Sequence, residues 1–181
     1  MSLFAANLEN ASLLLTLKVL ASDKQSVAWQ KKALRAGSTI VLKAAKRNVP
    51  VRTGALKRSL DRKFHRGGEY VVIGPRRDFV AHAAGDKYIF LKGKEAREFR
   101  KAGLKGNIRP VKYAGLVEHG TAAHQIANWL GRRGVAVAHP GARPKPFLRP
   151  AFDENVRATL DAIGKKMWEG IASSAKKSLG V

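Results

Sequence analysis

The sequence contains no cysteine, few acidic residues and no long hydrophobic run, and each absence narrows what the chain can be. Without cysteine there is neither a disulfide framework nor a thiolate metal site, and a reducing cytosol suits the chain. The longest apolar run, LLLTLKVLA, is interrupted by Lys18 and is too short to span a bilayer. Because no basic segment precedes it, we expect no secretory signal and a soluble protein used inside a cell.

The acidic residues are outnumbered by the basic ones. The 181 residues include 35 Lys and Arg against 13 Asp and Glu, a net charge of +22, while 45% of the residues are hydrophobic. Such a surplus destabilises a compact fold by self-repulsion unless an acidic partner lies opposite it. Nucleic acid and an acidic protein surface are the candidate partners. We expect no membrane partner, because no basic amphipathic helix with aromatic anchors is present.

The pattern along the chain predicts an α+β fold. Apolar spacing predicts a long N-terminal helix over 22–50, preceded by a shorter one over 8–21, and an amphipathic C-terminal helix over 149–177. Strand-like runs at 59–65 and 69–75 flank a Gly-Gly hairpin turn. Further along the chain, a strand is predicted at KYIFL and a helix at KEAREFRKAG. We expect one domain, 1–181, whose long N-terminal and C-terminal helices pack on a small, mostly antiparallel sheet. Residues 76–110 and 122–139 are the expected loop insertions, and 121–146 is expected to be a long loop.

The stretch YAGLVEHGTAAH, residues 113–124, contains residue types that are common in active sites, but their spacing argues against one. His119 and His124 are five residues apart, which places them on different faces of a helix or a strand. Glu118 has no second carboxylate nearby, and we expect it to pair with an arginine. Neither a G-x-S-x-G nor a phosphate-binding loop is present. We therefore expect no catalytic residue, no metal and no cofactor.

Three motifs occur in order along the chain: VPVRTGALKRSL at 49–60, KYAGLVEHGT at 112–121 and PGARPKPFLRPAF at 140–152. Together they resemble the tail-completion, or head–tail joining, family of long-tailed double-stranded DNA phages and prophages. The resemblance covers about 27–75 and 111–170. It implies a non-enzymatic virion protein of the neck, assembled in the host cytoplasm as a ring, expected to be a hexamer. Its implied partners are the head-closure or connector protein, the tail terminator or tail tube protein, and DNA passing through the lumen.

The motif positions are interpreted as assembly and packing residues. Thr53 and Gly54 would form a turn that Leu56 anchors, and Ser59 would start a strand. Tyr113 and Val117 would pack, and Gly120 and Thr121 would make a turn. Prolines would stiffen the third motif, while its apolar residues reach the core beside the last helix. The full set is Thr53, Gly54, Leu56, Ser59, Tyr113, Ala114, Val117, Glu118, Gly120, Thr121, Pro146, Phe147, Leu148, Pro150 and Phe152.

A basic stretch overlaps the first motif and the hairpin. Its cations could face DNA or an acidic neck partner, or could only aid solubility, and the sequence does not separate these alternatives. They are Arg52, Lys57, Arg58, Arg62, Lys63 and Arg66. A different class of function, a non-specific nucleic-acid-binding basic protein, would explain the charge but not the three ordered motifs. A neighbouring neck role, such as tail terminator, also remains open.

Overall fold

The computed structural model describes residues 23–103, 107–127 and 136–179. The helix predicted over 8–21 lies outside these residues. The described helices are α1 (Asp23–Asn48), α2 (Ala55–Ser59), α3 (Gly93–Lys101), α4 (Pro110–His119), α5 (Leu148–Asp153) and α6 (Val156–Leu179). The described strands are β1 (Leu60–Phe64), β2 (Val71–Pro75), β3 (Phe79–Ala84), β4 (Lys87–Lys92), β5 (Asn107–Ile108), β6 (His124–Ile126) and β7 (Val137–His139).

The chain divides into two compact units. The first unit contains residues 1–41, 62–72 and 155–181, and the second contains residues 42–61 and 73–154. Helix α1 and the β1–β2 hairpin therefore contribute residues to both units. The expectation of one domain over 1–181 stays a prediction.

In the first unit, α1 and α6 approach each other closely at two glycines. A Cβ atom on Gly37 would lie 2.7 Å from Cγ1 of Ile163, and one on Gly170 would lie 2.7 Å from Cγ of Trp29. Only a residue without a side chain fits at either position unless the neighbour moves. Trp29 is buried on the α1 side of this contact. The two long helices of the prediction thus pack directly on each other within this unit.

The second unit contains a three-stranded antiparallel sheet in the order β4-β3-β5. Its central strand begins with Phe79, Val80 and Ala81, all with no exposed surface. Phe79 and Ala81 pack with Ala55 of α2, and Tyr88, Phe90 and Ile108 cover this cluster. Residues 76–110, expected as a loop insertion, therefore supply the central strand and much of the core of this unit.

The α+β class is confirmed, as are α1, the antiparallel strand pairs, β4 and α3. The hairpin turns at Gly68, whose φ is 79°, as the Gly-Gly sequence predicts. The strands, however, form three small sheets, β1-β2, β4-β3-β5 and β6-β7, and not a single one. Helix α2 ends at Ser59, so β1 starts one residue later than expected.

Two predictions of secondary structure are wrong in detail. The helix predicted over 149–177 is two helices, because α5 ends at Asp153 and α6 starts at Val156. The apolar spacing continues across this break, which is why it does not reveal the turn. The loop predicted over 121–146 contains β6 and β7, which pair with His124 opposite His139. Each strand has three residues, too few for an alternating pattern to be visible in the sequence.

Candidate functional site

The three motifs meet at one groove in the second unit. The groove has a volume of about 690 Å³. The first motif provides one wall, the exposed face of α4 a second, and the segment before α5 a third. Its lining residues are Pro50, Val51, Arg52, Thr53, Gly54, Leu56, Ile108, Tyr113, Leu116, Val117, Ala142, Arg143 and Lys145.

The first motif forms a tight turn that leads into α2. Gly54 has a φ of 73°, a left-handed conformation that favours glycine. The Ala55 N–H donates to the Thr53 hydroxyl at 3.3 Å, so Thr53 supports the start of the helix as its side chain predicts. Leu56 is buried, and the Ser59 hydroxyl donates to the Leu56 carbonyl at 2.7 Å. These bonds fix the wall of the groove that contains Val51.

The second motif is helical, and it divides its residues between two faces. Pro110 opens α4 at a position where the missing N–H has no intrahelical acceptor in any case. Tyr113, Leu116 and Val117 follow the three- and four-residue spacing of one face, and all three line the groove. Ala114 and Glu118 lie on the other side and are buried. Burial raises the pKa of the half-buried Tyr113, and the charge of Arg52 opposes this change.

Glu118 joins the second motif to the third. Its carboxylate accepts the backbone N–H groups of Phe147 and Leu148 through Oε2, at 2.8 and 3.0 Å, and that of Arg149 through Oε1 at 2.9 Å. These are the unpaired donors at the start of α5, and Pro150, the next residue, has no N–H to satisfy. Burial raises the pKa of Glu118, but the bonds from Leu148, Phe147 and Arg149 lower it, and the net pKa lies below the ordinary value.

The prediction that Glu118 pairs with an arginine side chain is therefore wrong, because its partners are backbone N–H groups. Helix termini attract carboxylates because their N–H groups are unpaired and carry partial positive charge. The two parts of this contact are about thirty residues apart in sequence, so local spacing did not reveal it. The signal that could have found it is Pro150, since a proline near the start of a short helix marks the terminus that an acid would bind.

A second tie holds the third motif against the end of α4. Thr121 and Ala142 exchange backbone hydrogen bonds of 2.9 and 3.0 Å, and the Lys145 N–H donates to the Val117 carbonyl at 2.8 Å. Gly120, with a φ of 72°, makes this approach possible, because a Cβ there would lie 2.5 Å from the Ala142 carbonyl oxygen. We call residues 142–147 the strap. The turn predicted at Gly120 and Thr121 thus also contacts the strap.

The apolar residues of the third motif have different environments. Phe147 has no exposed surface and Leu148 is partly buried, whereas 54% of Phe152 is exposed. The expectation that all three enter the core is wrong for Phe152. Val156 and Leu160, the next two residues of the predicted apolar stripe, are also exposed, so this end of the stripe does not enter the core. Pro146 is exposed and precedes the buried Phe147.

The six cations of the basic stretch are divided between the units. Arg52, Lys57 and Arg58 belong to the second unit, and Arg58 lies over the ring of Phe90, 4.6 Å from its centroid. In the first unit, Arg62 donates to the Arg35 carbonyl at 3.2 Å and to the Thr39 hydroxyl. Lys63 and Arg66 are exposed. That the six form one functional face stays a prediction.

The two histidines of the stretch 113–124 lie in different elements. His119 ends α4 and His124 begins β6, and both are exposed. The His124 ring instead lies beside that of His139, with 5.0 Å between the centroids. Among residues 23–103, 107–127 and 136–179, no group of three or more His, Asp or Glu could hold a metal ion. Within the same ranges, no helix has the length and apolar character that crossing a membrane requires.

Several lining residues of the groove were not predicted from the sequence. Val51, Leu116, Arg143 and Lys145 were not among the expected assembly residues, although all four lie within the three motifs. The signal for Leu116 was present, since it falls three residues after Tyr113 on the same helical face. Arg143 and Lys145 alternate with Pro144 and Pro146, a pattern that places cations on an extended segment.

Comparison with known families gives a match over the N-terminal part of the chain. A family model described as "Bacteriophage HK97-gp10, putative tail-component" matches residues 11–120. The match covers more than half of the chain, which belongs to the HK97-gp10-like family of phage tail components. It includes the first motif and all of the second except its last residue, Thr121, and it ends before the third. No curated protein and no solved structure matches the chain. The protein is therefore a structural component of a phage, with other virion proteins as its partners.

Proposed function

We propose that this tail component acts at the head–tail interface, where a ring of its copies joins the head connector to the tail without catalysing a reaction. The observation that carries the proposal is the convergence of the three motifs on one groove. A joining protein needs a formed surface that a neighbour can recognise. Three motifs that are distant in sequence would meet at one groove if that surface were the reason for their presence.

The groove also has the stiffness that an assembly contact needs. Glu118 fixes the end of the strap, the Thr121–Ala142 bridge fixes its start, and the Lys145–Val117 bond fixes the segment between them. A surface that is already ordered loses less conformational entropy when a partner binds. Such pre-organisation favours a structural joint that forms once and persists in the particle.

The net charge of +22 bears on the partners. Several copies in one ring would repel each other strongly at low salt unless acidic groups offset them. In the neck, the negative charge would come from acidic surfaces on neighbouring proteins or from DNA in the lumen. Placement in the neck thus explains how the charge of the proposed ring is tolerated. Assembly would take place in the host cytoplasm, before or during completion of the particle.

The test is a phage in which a stop codon replaces Trp29. We expect DNA-filled heads and tails of normal length to accumulate separately, and added purified protein to restore joined particles. Tails of uncontrolled length would instead indicate a tail terminator. Loss of DNA-filled heads, with normal joining of those that form, would indicate a DNA-binding role and contradict the proposal.

The basic stretch has its own test within this proposal. Replacement of Lys57, Arg58 and Lys63 by glutamate should give folded protein that fails to join heads to tails. A matched triple reversal of the exposed Lys87, Lys94 and Lys101, which lie outside the stretch, should join them normally. Infectious particles at the wild-type level from the first variant would show that the stretch serves only solubility.

A further inference from the structure

We propose that the groove binds an acidic segment of another virion protein, one that carries at least one large apolar side chain between carboxylates. The proposal rests on the structural role proposed above and adds the chemistry of the partner. It follows from two properties of the groove, its exposed apolar residues and its unbalanced charge.

Two apolar residues of the groove are exposed although the walls around them are fixed. Val51 is 62% exposed and Leu116 is 53% exposed. Both line the groove, together with the half-buried Tyr113. An apolar groove with a few placed polar groups is the usual form of a binding site, and its volume of about 690 Å³ lies within the range of such sites. An apolar side chain from a partner would remove this surface from water.

The charged residues of the groove are all basic. Arg52, Arg143 and Lys145 are exposed and line it, and no carboxylate is among the lining residues that the structure describes. Glu118 is nearby in sequence, but it is buried and its oxygens accept three backbone N–H groups. A partner with carboxylates beside its apolar residue would complement the groove in both respects.

The same charge argument disfavours a second copy of this chain as the occupant. The chain has 13 acidic residues against 35 basic ones, and several of its carboxylates already have partners. Asp61 and Asp78 bind Arg76, and Glu118 binds the backbone of the strap. A copy of the chain would thus bring mostly positive charge to a positive groove. Nucleic acid would match the charge but leave Val51 and Leu116 without an apolar partner.

A photo-crosslinking experiment in assembled particles separates these occupants. Phage carrying Leu116→p-benzoylphenylalanine would be purified, irradiated and digested, and the crosslinked peptides identified by mass spectrometry. We expect a crosslink to another virion protein, at a segment with two or more carboxylates within about five residues of the attachment point. The same photoreactive residue at Ile89, which is 50% exposed and does not line the groove, should not give this product.

Every other product overturns the proposal. A crosslink to a second copy, to DNA or to a basic segment would contradict it, and so would particles that contain the variant but give no crosslink. Identical products from Leu116 and Ile89 would show that the contact is not specific to the groove. The head–tail role fails separately, if microscopy finds the protein away from the neck while the crosslink still reaches an acidic segment.

Charge reversal gives an independent reading of the same contact. Arg143→Glu with Lys145→Glu should lower incorporation into particles by about ten-fold or more, because like charges would then face each other in the complex. Arg77→Glu with Lys101→Glu is the matched control, since both residues are exposed in the same unit and outside the groove. Equal incorporation of the two variants, with unchanged melting temperatures, would refute an acidic partner.

Discussion

The two compact units differ in the kind of contact that stabilises each of them internally. In the first, α1 and α6 meet where Gly37 and Gly170 leave room for Ile163 and Trp29, so close apolar packing dominates. In the second, charged groups tie distant segments: Glu118 binds the start of α5, and Arg76 binds both Asp61 and Asp78 at 2.8–2.9 Å. The difference teaches where each unit tolerates change. The first should respond to added volume, and the irregular segments of the second should respond to lost charge as well as to lost apolar burial.

This difference also relates to function. The first unit buries its apolar contact along long helices, whereas the second uses polar ties to hold irregular segments in place around the groove. Backbone without regular hydrogen bonding can be fixed only by such specific partners. A groove wall that must keep one shape, but cannot be a helix or a strand, therefore requires residues such as Glu118 and Gly120.

Removal of Phe147 should have the largest effect on stability. Phe147 has no exposed surface and lies directly before α5. Phe147→Ala should lower the free energy of unfolding by about 3–5 kcal/mol, the usual loss for a buried aromatic residue. Phe152→Ala is the control, with an expected loss below about 1 kcal/mol because Phe152 is 54% exposed. Chemical denaturation of both variants measures the difference, and equal losses would mean that the strap is not held by burial.

Removal of the Glu118 carboxylate should be the next largest effect. Glu118→Ala leaves three N–H groups at the start of α5 without their acceptor, at a loss of about 2–4 kcal/mol. Glu118→Gln keeps the size of the side chain and one acceptor oxygen, so it should lose less. Hydrogen exchange at Leu148 and Arg149 should quicken in the alanine variant. Unchanged exchange there would show that water replaces the carboxylate fully.

Glu118 and Phe152 show the limit of what could be predicted from the sequence. The long helix, the hairpin with its glycine turn and the short turn at Thr53 follow from local patterns, because their causes lie within a few residues. The partner of Glu118 and the exposure of Phe152 depend on contacts or breaks that local spacing does not encode. The groove could not be predicted, since its walls come from three separate parts of the chain, 50–56, 108–117 and 142–145. The sequence showed which residue types the motifs contain, but not that the motifs meet in space.

Replacement by alanine should have opposite effects on stability at two glycines of α6, Gly164 and Gly170. A Cβ on Gly170 would lie 2.7 Å from Cγ of Trp29, whereas one on Gly164 meets no atom within 4 Å. Gly170→Ala should therefore destabilise by about 1–2 kcal/mol, the overpacking penalty less the gain in helix propensity. Gly164→Ala should stabilise by about 0.5–1 kcal/mol. Thermal melting of the two variants tests the close approach, which is disproved if both raise the melting temperature.

The smallest expected effect concerns pH: the stability contributed by Glu118 should decrease in acid, whereas that of the α1–α6 packing at Gly170 should not. The pKa of Glu118 is lower in the folded chain than the ordinary value of 4.5, so the unfolded chain binds the proton more readily. The stability that the carboxylate contributes is therefore complete above about pH 4.5 and is lost as the pH falls through the lower folded pKa. The gap in unfolding free energy between wild type and Glu118→Gln should be constant near neutral pH and shrink in acid. The penalty of Gly170→Ala involves no titrating group and should not change over the same range. Urea denaturation from pH 7 to pH 3 measures both gaps, and a glutamine gap that stays constant to pH 3 would contradict the role assigned to the charge of Glu118.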